Sequence, residues 1–166
     1  GLVYGMEAYG LAQRLGIANK EAANILDSYF GAFPSVKDYM ESTVQVAKER
    51  GYTETLFGRR RRIPELMSSN SRIRAAGERQ AMNAGIQGLA ADIFKVALVN
   101  LHYRLKKENM GSRIVLQVHD EVILECPKEE VYDAEKATIE VMGSAFDMSV
   151  PLAVNISSGA TWAEAK

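Results

Sequence analysis

Residues 113–126 read RIVLQVHDEVILEC, and this stretch decides what kind of fold the chain can have. Alternating and β-branched apolar residues lead up to a charged triplet (Ile114, Leu116, Val118) and resume after it (Val122, Leu124), which predicts two paired strands. His119, Asp120 and Glu121 then stand at the hairpin tip. A carboxylate there is held rigidly and pushed into solvent, which is how a protein offers an oxygen ligand to a hard cation and a phosphate-bearing substrate. Hairpin tips are polar in any case, and Asp is a common turn residue. The rest of the chain has to decide between turn chemistry and metal chemistry.

Downstream of the hairpin the pattern predicts an acidic helix from about Lys128 to Phe146 and a last strand in which Leu152, Val154 and Ile156 alternate. Upstream lies a long helical region from about Ser71 to Lys107, expected to be interrupted or bent near Gly85 and Gly88. Its later half carries Ile86, Leu89, Ile93, Ala97, Leu101 and Leu105 at helical spacing. Three further helices precede it. The first runs from Leu2 to Leu15, with Tyr4, Ala8, Leu11 and Leu15 on one face and Gly16 as its stop. The second is capped by Asn19 and ends near Gly31, with Ile25, Leu26 and Tyr29 inward. Pro34 opens the third, on which Val36, Met40, Thr43, Val44 and Ala47 form a stripe before Gly51. A short β-type run, Tyr52 to Phe57, then leads through Gly58 into a block of arginines. Pro64 and the cluster from Ser68 to Ser71 break periodicity, placing a soft boundary at residues 63–69. Helices come first and a mixed unit follows, so the fold class is α+β.

The 166 residues are 47% hydrophobic, enough for one ordinary domain or two small lobes sharing a core. Cys126 is the single cysteine, which rules out an internal disulfide and points to a reducing, cytoplasmic setting. No run of uninterrupted apolar residues reaches the roughly 18–20 of a membrane span. The chain opens on Gly1 in mid-pattern, and a piece of a longer protein is expected. Net charge is −1, so the chain as a whole is no polycation. The distribution is uneven. Arg50, Arg59, Arg60, Arg61, Arg62, Arg72, Arg74 and Arg79 crowd the middle with only Glu54, Glu65 and Glu78 among them, which predicts a local anion-binding surface.

At 100° per residue, Arg72, Arg79, Asn83 and Gln87 fall within a stripe of about 80° if the helix is continuous to Gln87. Arg donates to phosphate or base edges, while Asn and Gln donate and accept together, so the row can follow a nucleic-acid groove. Gly85 and Gly88 cost a helix roughly 2 kcal/mol relative to alanine, and beside Gln87 they would let a duplex come close.

Five segments occur in order: GLVYGMEAYGLAQRLGI (1–17), TLFGRRRRIPEL (55–66), ERQAMNAGIQGLAADIFKVAL (78–98), LQVHDEVILE (116–125) and GATWAEA (159–165). Together they resemble the C-terminal part of the bacterial members of DNA polymerase family A, over essentially the whole chain. The resemblance implies template-directed addition of deoxynucleotides to a primer 3′ end by two-metal phosphoryl transfer with Mg²⁺. It implies primer-template DNA and deoxynucleoside triphosphates as partners, with the distal fingers at 1–66 and the C-terminal palm at 67–166. By the same resemblance Tyr4 stacks near the templating position and Arg79, Asn83 and Gln87 reach the minor groove of the primer-template. The charge cluster and the helical stripe, apart from the resemblance, add Arg59, Arg60, Arg61 and Arg72 to the DNA side. His119 lies near the primer 3′ end, Asp120 binds metal, and Glu121 is the adjacent, less critical carboxylate.

In this family the other metal aspartate and the fingers lysine and arginine that hold the triphosphate precede the part matched here. The chain by itself is therefore expected to carry only part of an active site and to leave a primer unextended. The competing class is a DNA-binding fragment without catalysis. A metal phosphohydrolase of the His-Asp type is a further candidate, but such sites need several more histidines, and His102, beside Tyr103 on a helix, is the chain's single other one.

Overall fold

A computed structural model describes residues 2–165. The chain forms two compact units, the first running to Leu89 and the second beginning at Ala90. The elements are mostly helical with two small antiparallel sheets, so the α+β class holds.

The first unit opens with a 3-10 turn (Leu2–Tyr4) and continues with α1 (Ala8–Leu15), α2 (Asn19–Ala32) and α3 (Pro34–Arg50). The single helix expected from Leu2 to Leu15 is broken at Gly5, whose φ of +77° belongs to glycine. A Cβ there would lie 3.0 Å from Met82 Sδ and 3.2 Å from Arg79 Cγ, so close approach excludes a side chain as well. α1 buries Leu11 and Ala12 against Ala22 of α2, with Leu2, Met6, Ala8, Ile17 and Leu26 around them, whereas Leu15 is exposed. Gly16 ends α1 in the left-handed region as expected. The start of α2 differs, because Ala18 occupies the cap position in extended backbone and Asn19 is already helical. Of the residues expected inward on α2, Leu26 packs and Ile25 is exposed, while Tyr29 meets Phe30 edge-on and Phe33 at a tilt. α3 follows its sequence: Pro34 opens it, Met40, Val44 and Ala47 are buried, and Gly51 closes it at φ +75°.

β1 (Tyr52–Glu54) is shorter than the predicted run, and its partner is the arginine block itself, β2 (Arg60–Arg62). Tyr52 pairs with Arg62, Thr53 with Arg61 and Glu54 with Arg60. The break in periodicity at Pro64 is a 3-10 turn (Pro64–Met67) inside the first unit, since Ile63 and Leu66 are buried with Val44, Ala47 and Ala81.

α4 (Ser71–Lys107) runs unbroken for 37 residues, where an interruption near Gly85 and Gly88 was expected. Its glycines seat neighbours. A Cβ at Gly77 would meet the Leu66 nitrogen at 2.9 Å, one at Gly85 the Tyr39 hydroxyl at 2.8 Å, and one at Gly88 the Thr55 Cγ2 at 2.7 Å. They admit the chain's own α3 and β1–β2 turn, so the helix-weakening residues have a packing reason. α4 is also long and apolar enough to pass for a membrane span by length and composition, although polar residues such as Gln87, Asp92 and Lys95 interrupt it. The helix buries Ala81, Ala84, Ala97, Leu101 and Leu105, but only 22% of its apolar stretch is buried.

The second unit holds the rest of α4, the hairpin of β3 (Arg113–Val118) and β4 (Glu121–Glu125), a 3-10 turn (Lys128–Glu130) and α5 (Val131–Gly143). β3 carries a bulge between Ile114 and Leu116. α5 buries Ala134, Ala137 and Thr138, and the Thr138 hydroxyl donates back to the Ala134 carbonyl at 2.7 Å. The last strand expected at Leu152–Ile156 is absent. Leu152 and Val154 are half-buried in alternation, but among the described residues nothing pairs with them, and alternation without a ladder partner makes no strand.

Candidate nucleic-acid interface and carboxylate hairpin

The β3–β4 register pairs Val118 with Glu121, so His119 and Asp120 are the two turn residues and Glu121 is the first residue of β4. All three are exposed. His119 sits at φ +53°, a conformation that non-glycine residues adopt uncommonly and that clusters at functional sites. The Gln117 side chain, two residues back, donates to the His119 carbonyl at 2.7 Å. Asp120 and Glu121 are hard oxygen donors of the kind Mg²⁺ takes. Among the described residues no group of three or more His, Cys, Asp or Glu could hold an ion. The donors fit the cation and are a partial set.

In the first unit, the turn carrying Tyr4 is seated on α4 through Gly5, against Arg79 and Met82. Tyr4 is 43% exposed. The Arg79 guanidinium faces Glu7 at 3.5 Å, an exposed pair whose net attraction is small. One turn along, the side-chain oxygen of Asn83 is buried without a hydrogen-bond partner among the described residues, and Gln87 is exposed beyond it. Arg79, Asn83 and Gln87 thus share a face next to the Tyr4 turn, as the helical spacing predicted. Arg72 is exposed at the start of α4, where the Asn70 side chain accepts its backbone N–H at 2.9 Å.

The arginine block is not one surface. Alternation along β2 sends Arg60 and Arg62 to one face and Arg61 to the other. The Arg59 guanidinium donates to the Gly88 carbonyl at 2.7 Å, tying the hairpin to α4. Arg60 is paired with Glu54 and lies 4.8 Å from the centre of the Tyr52 ring. The Glu54 hydrogen bond raises its already high pKa further. Arg61 donates to Gln80 at 3.2 Å, and Arg74 to the Ser68 carbonyl at 2.9 Å. Arg62 and Arg72 make no side-chain hydrogen bond or ion pair among the described residues. The anion-binding surface expected from eight clustered arginines is thus reduced, because pleat and internal partners take most of them. Gln117 and Glu7 were not legible as site residues. The sole hint for Gln117 was its being the one polar residue between Ile114 and Val118.

A family model described as DNA polymerase family A matches residues 1–164. DNA polymerase I of Bacillus caldotenax is 51% identical over 166 residues, all of this chain and 19% of that protein. The Bacillus subtilis (strain 168) DNA polymerase I gives 51% over the same share. The solved structure of the POL domain of Pol1 from M. smegmatis, in complex with DNA primer-template and dNTP, superposes with a TM-score of 0.96 at 47% identity. It covers 99% of this chain and 29% of that one. The chain therefore spans about a fifth of the length of these curated relatives.

Proposed function

This chain belongs to DNA polymerase family A, and from that premise we propose that it supplies the distal fingers (1–66) and the C-terminal palm (67–166) of a DNA-directed DNA polymerase. The whole protein adds deoxynucleotides to a primer 3′ end under template direction. The observation that carries the reading is an exposed Asp120 on a two-residue turn, in a chain matched by that family's model over residues 1–164.

In this reading the residues divide the work by position. Tyr4 offers an exposed ring to the nascent base pair, beside the helix that follows the duplex. Arg79, Asn83 and Gln87 bind minor-groove acceptors, which are nearly independent of sequence, as a copying enzyme requires. Arg72, and to a lesser degree Arg59, Arg60 and Arg61, add phosphate contacts. His119 orients the primer terminus, Asp120 is a ligand for a divalent cation, and Glu121 lends a second, weaker carboxylate. The cation, Mg²⁺ in this reading, supplies Lewis-acid activation of the phosphoryl group when bound. A cytoplasmic setting goes with this reading.

A second reading is favoured by the partial donor set: the 166 residues alone bind primer-template weakly and do not extend it. Primer extension by the intact polymerase, wild type beside Asp120→Asn, with DNA affinity measured in parallel, tests the first reading. The same assay on the isolated chain tests the second. Robust extension by the isolated chain would overturn the second and require another carboxylate, Asp92 or Glu125, in the metal site.

A further inference from the structure

We propose that Gln117 is a positioning residue for Asp120: its side-chain N–H, bonded to the His119 carbonyl, locks the central peptide of the turn and thereby the direction of the Asp120 carboxylate. The proposal rests on the reading of Asp120 as a metal ligand. In a two-residue hairpin loop spanning Val118 to Glu121, the peptide between His119 and Asp120 is the central one. Turn types of one handedness differ by a flip of that peptide, which changes ψ of the first central residue and φ of the second. A primed turn of the first type needs positive φ at both central residues, and one of the second type needs it at the first alone. Among the described non-glycine residues, positive φ occurs at Asn109 and His119 and not at Asp120. The turn therefore holds the arrangement with a single positive φ, and it does so with histidine where glycine is the usual occupant.

A flip of the His119–Asp120 peptide would force Asp120 to positive φ and swing its side chain away from its present direction. The carbonyl that would move in that flip is the one Gln117 holds, at 2.7 Å. Gln117 reaches it from β3, where its backbone is fixed opposite Val122. The neighbours Ile114, Val115, Leu116 and Val118 have no side-chain donor. A metal ligand on a flexible turn loses affinity unless an outer partner orients it, and Gln117 is that partner here.

The test uses the intact polymerase bound to primer-template. Gln117→Met keeps the length of the side chain and removes the donor, and Gln117→His restores a neutral N–H at comparable reach. Mn²⁺ affinity is read by electron paramagnetic resonance, the incorporation rate by single turnover and primer-template affinity by titration. Gln117→Met is expected to weaken Mn²⁺ binding and slow incorporation by about 10–100-fold, the usual cost of losing an outer partner of a ligand. DNA affinity and the urea midpoint stay level, and Gln117→His recovers most of the loss. Wild-type Mn²⁺ affinity in Gln117→Met, with Asp120→Asn inactive, would overturn the proposal and leave the reading of Asp120 standing. Reduced DNA affinity at unchanged Mn²⁺ affinity would overturn it in favour of a direct role in gripping DNA. Undiminished Mn²⁺ affinity in Asp120→Asn would remove both.

Discussion

The molecule contains two antiparallel hairpins of two strands each, and they handle charge in opposite ways. β1–β2 is dense in arginine, yet Arg59 bonds the Gly88 carbonyl, Arg60 pairs with Glu54 and Arg61 bonds Gln80, so most of its charge holds the hairpin to its own unit. β3–β4 also pairs one arginine internally, Arg113 with Glu125 at 2.6 Å at its base, but it keeps His119, Asp120 and Glu121 exposed at the tip, where, among the described residues, no cluster of three metal-type ligands forms. Charge density is thus a poor guide to which charges remain available to a ligand. A carboxylate held at a fixed turn retains its whole interaction for a ligand.

The largest expected effect breaks the comparison if it fails. In the intact polymerase Asp120→Asn should slow extension by at least about 10²-fold, because a metal ligand is removed, while primer-template affinity and stability hold. Extension within a few-fold of wild type would mean that the hairpin tip is ordinary turn chemistry. Arg79→Ala on α4 comes next. A charged hydrogen bond to DNA contributes about 1.5–3 kcal/mol and a neutral one less, so Arg79→Ala should weaken primer-template binding more than Gln87→Ala. Neither variant should acquire a template-sequence preference. Equal affinities across a salt titration would take the stripe out of the interface.

Arg59→Ala sharpens the contrast from the other side. It should cost stability, about 1.5 kcal/mol, at the low end for a charged donor because the residue is exposed overall. The slope of log K against log salt should fall by less than about 0.9, the share of one full phosphate contact. Arg62→Ala should do the reverse, leaving stability level and reducing the slope by about 0.9 for each phosphate it ceases to neutralise. If the two variants exchange behaviour, β1–β2 is a DNA surface after all.

Asn83 stands between these extremes, since its buried side-chain oxygen has no partner among the described residues. An orphaned buried acceptor costs about 1–3 kcal/mol. Asn83→Leu should therefore raise the urea midpoint, with a gain of about 1 kcal/mol after imperfect repacking, and weaken DNA binding. A fall in both would make Asn83 structural.

How much of this was legible in the sequence follows from the kind of signal each element leaves. α3 and the β3–β4 hairpin were readable because Met40, Val44 and Ala47, or Ile114 and Leu124, repeat at the period of their element. β2 was not, because three consecutive arginines have no apolar alternation and a strand of that kind is defined by its partner, β1. The break at Gly5 was hidden because its cause, the packing against Met82 and Arg79, lies far along the chain. The segment at Leu152–Ile156 failed for the converse reason, with pattern present and partner absent among the described residues. The turn position of Asp120 was readable from the alternation on either side of it. The Gln117 bond was not, because its acceptor is a backbone carbonyl that every residue has.

The smallest expected effect concerns what anchors β3–β4 at its base, far from the exposed tip. Just before β3, the Glu130 carboxylate accepts from the Gly111 N–H at 2.8 Å, the Ser112 N–H at 2.8 Å and the Ser112 hydroxyl at 2.6 Å. The Ser112 hydroxyl first, and the Gly111 N–H next, hold its pKa below the usual glutamate value. A carboxylate whose folded pKa is depressed stabilises the fold fully above its unfolded pKa, about 4.3. That contribution fades as pH falls through the lower folded value. Wild type should therefore lose stability on the acid side of that window, and Glu130→Gln, with one acceptor oxygen and no proton to take up, should be less stable at neutral pH and flatter below it. Urea midpoints at neutral pH and on the acid limb check this, and parallel profiles for the two proteins would mean that the base of β3–β4 is held without Glu130, by packing and the Arg113–Glu125 pair. If instead the profiles differ while extension by the intact polymerase at neutral pH is unchanged, anchoring at the base and chemistry at the tip are separable in one hairpin.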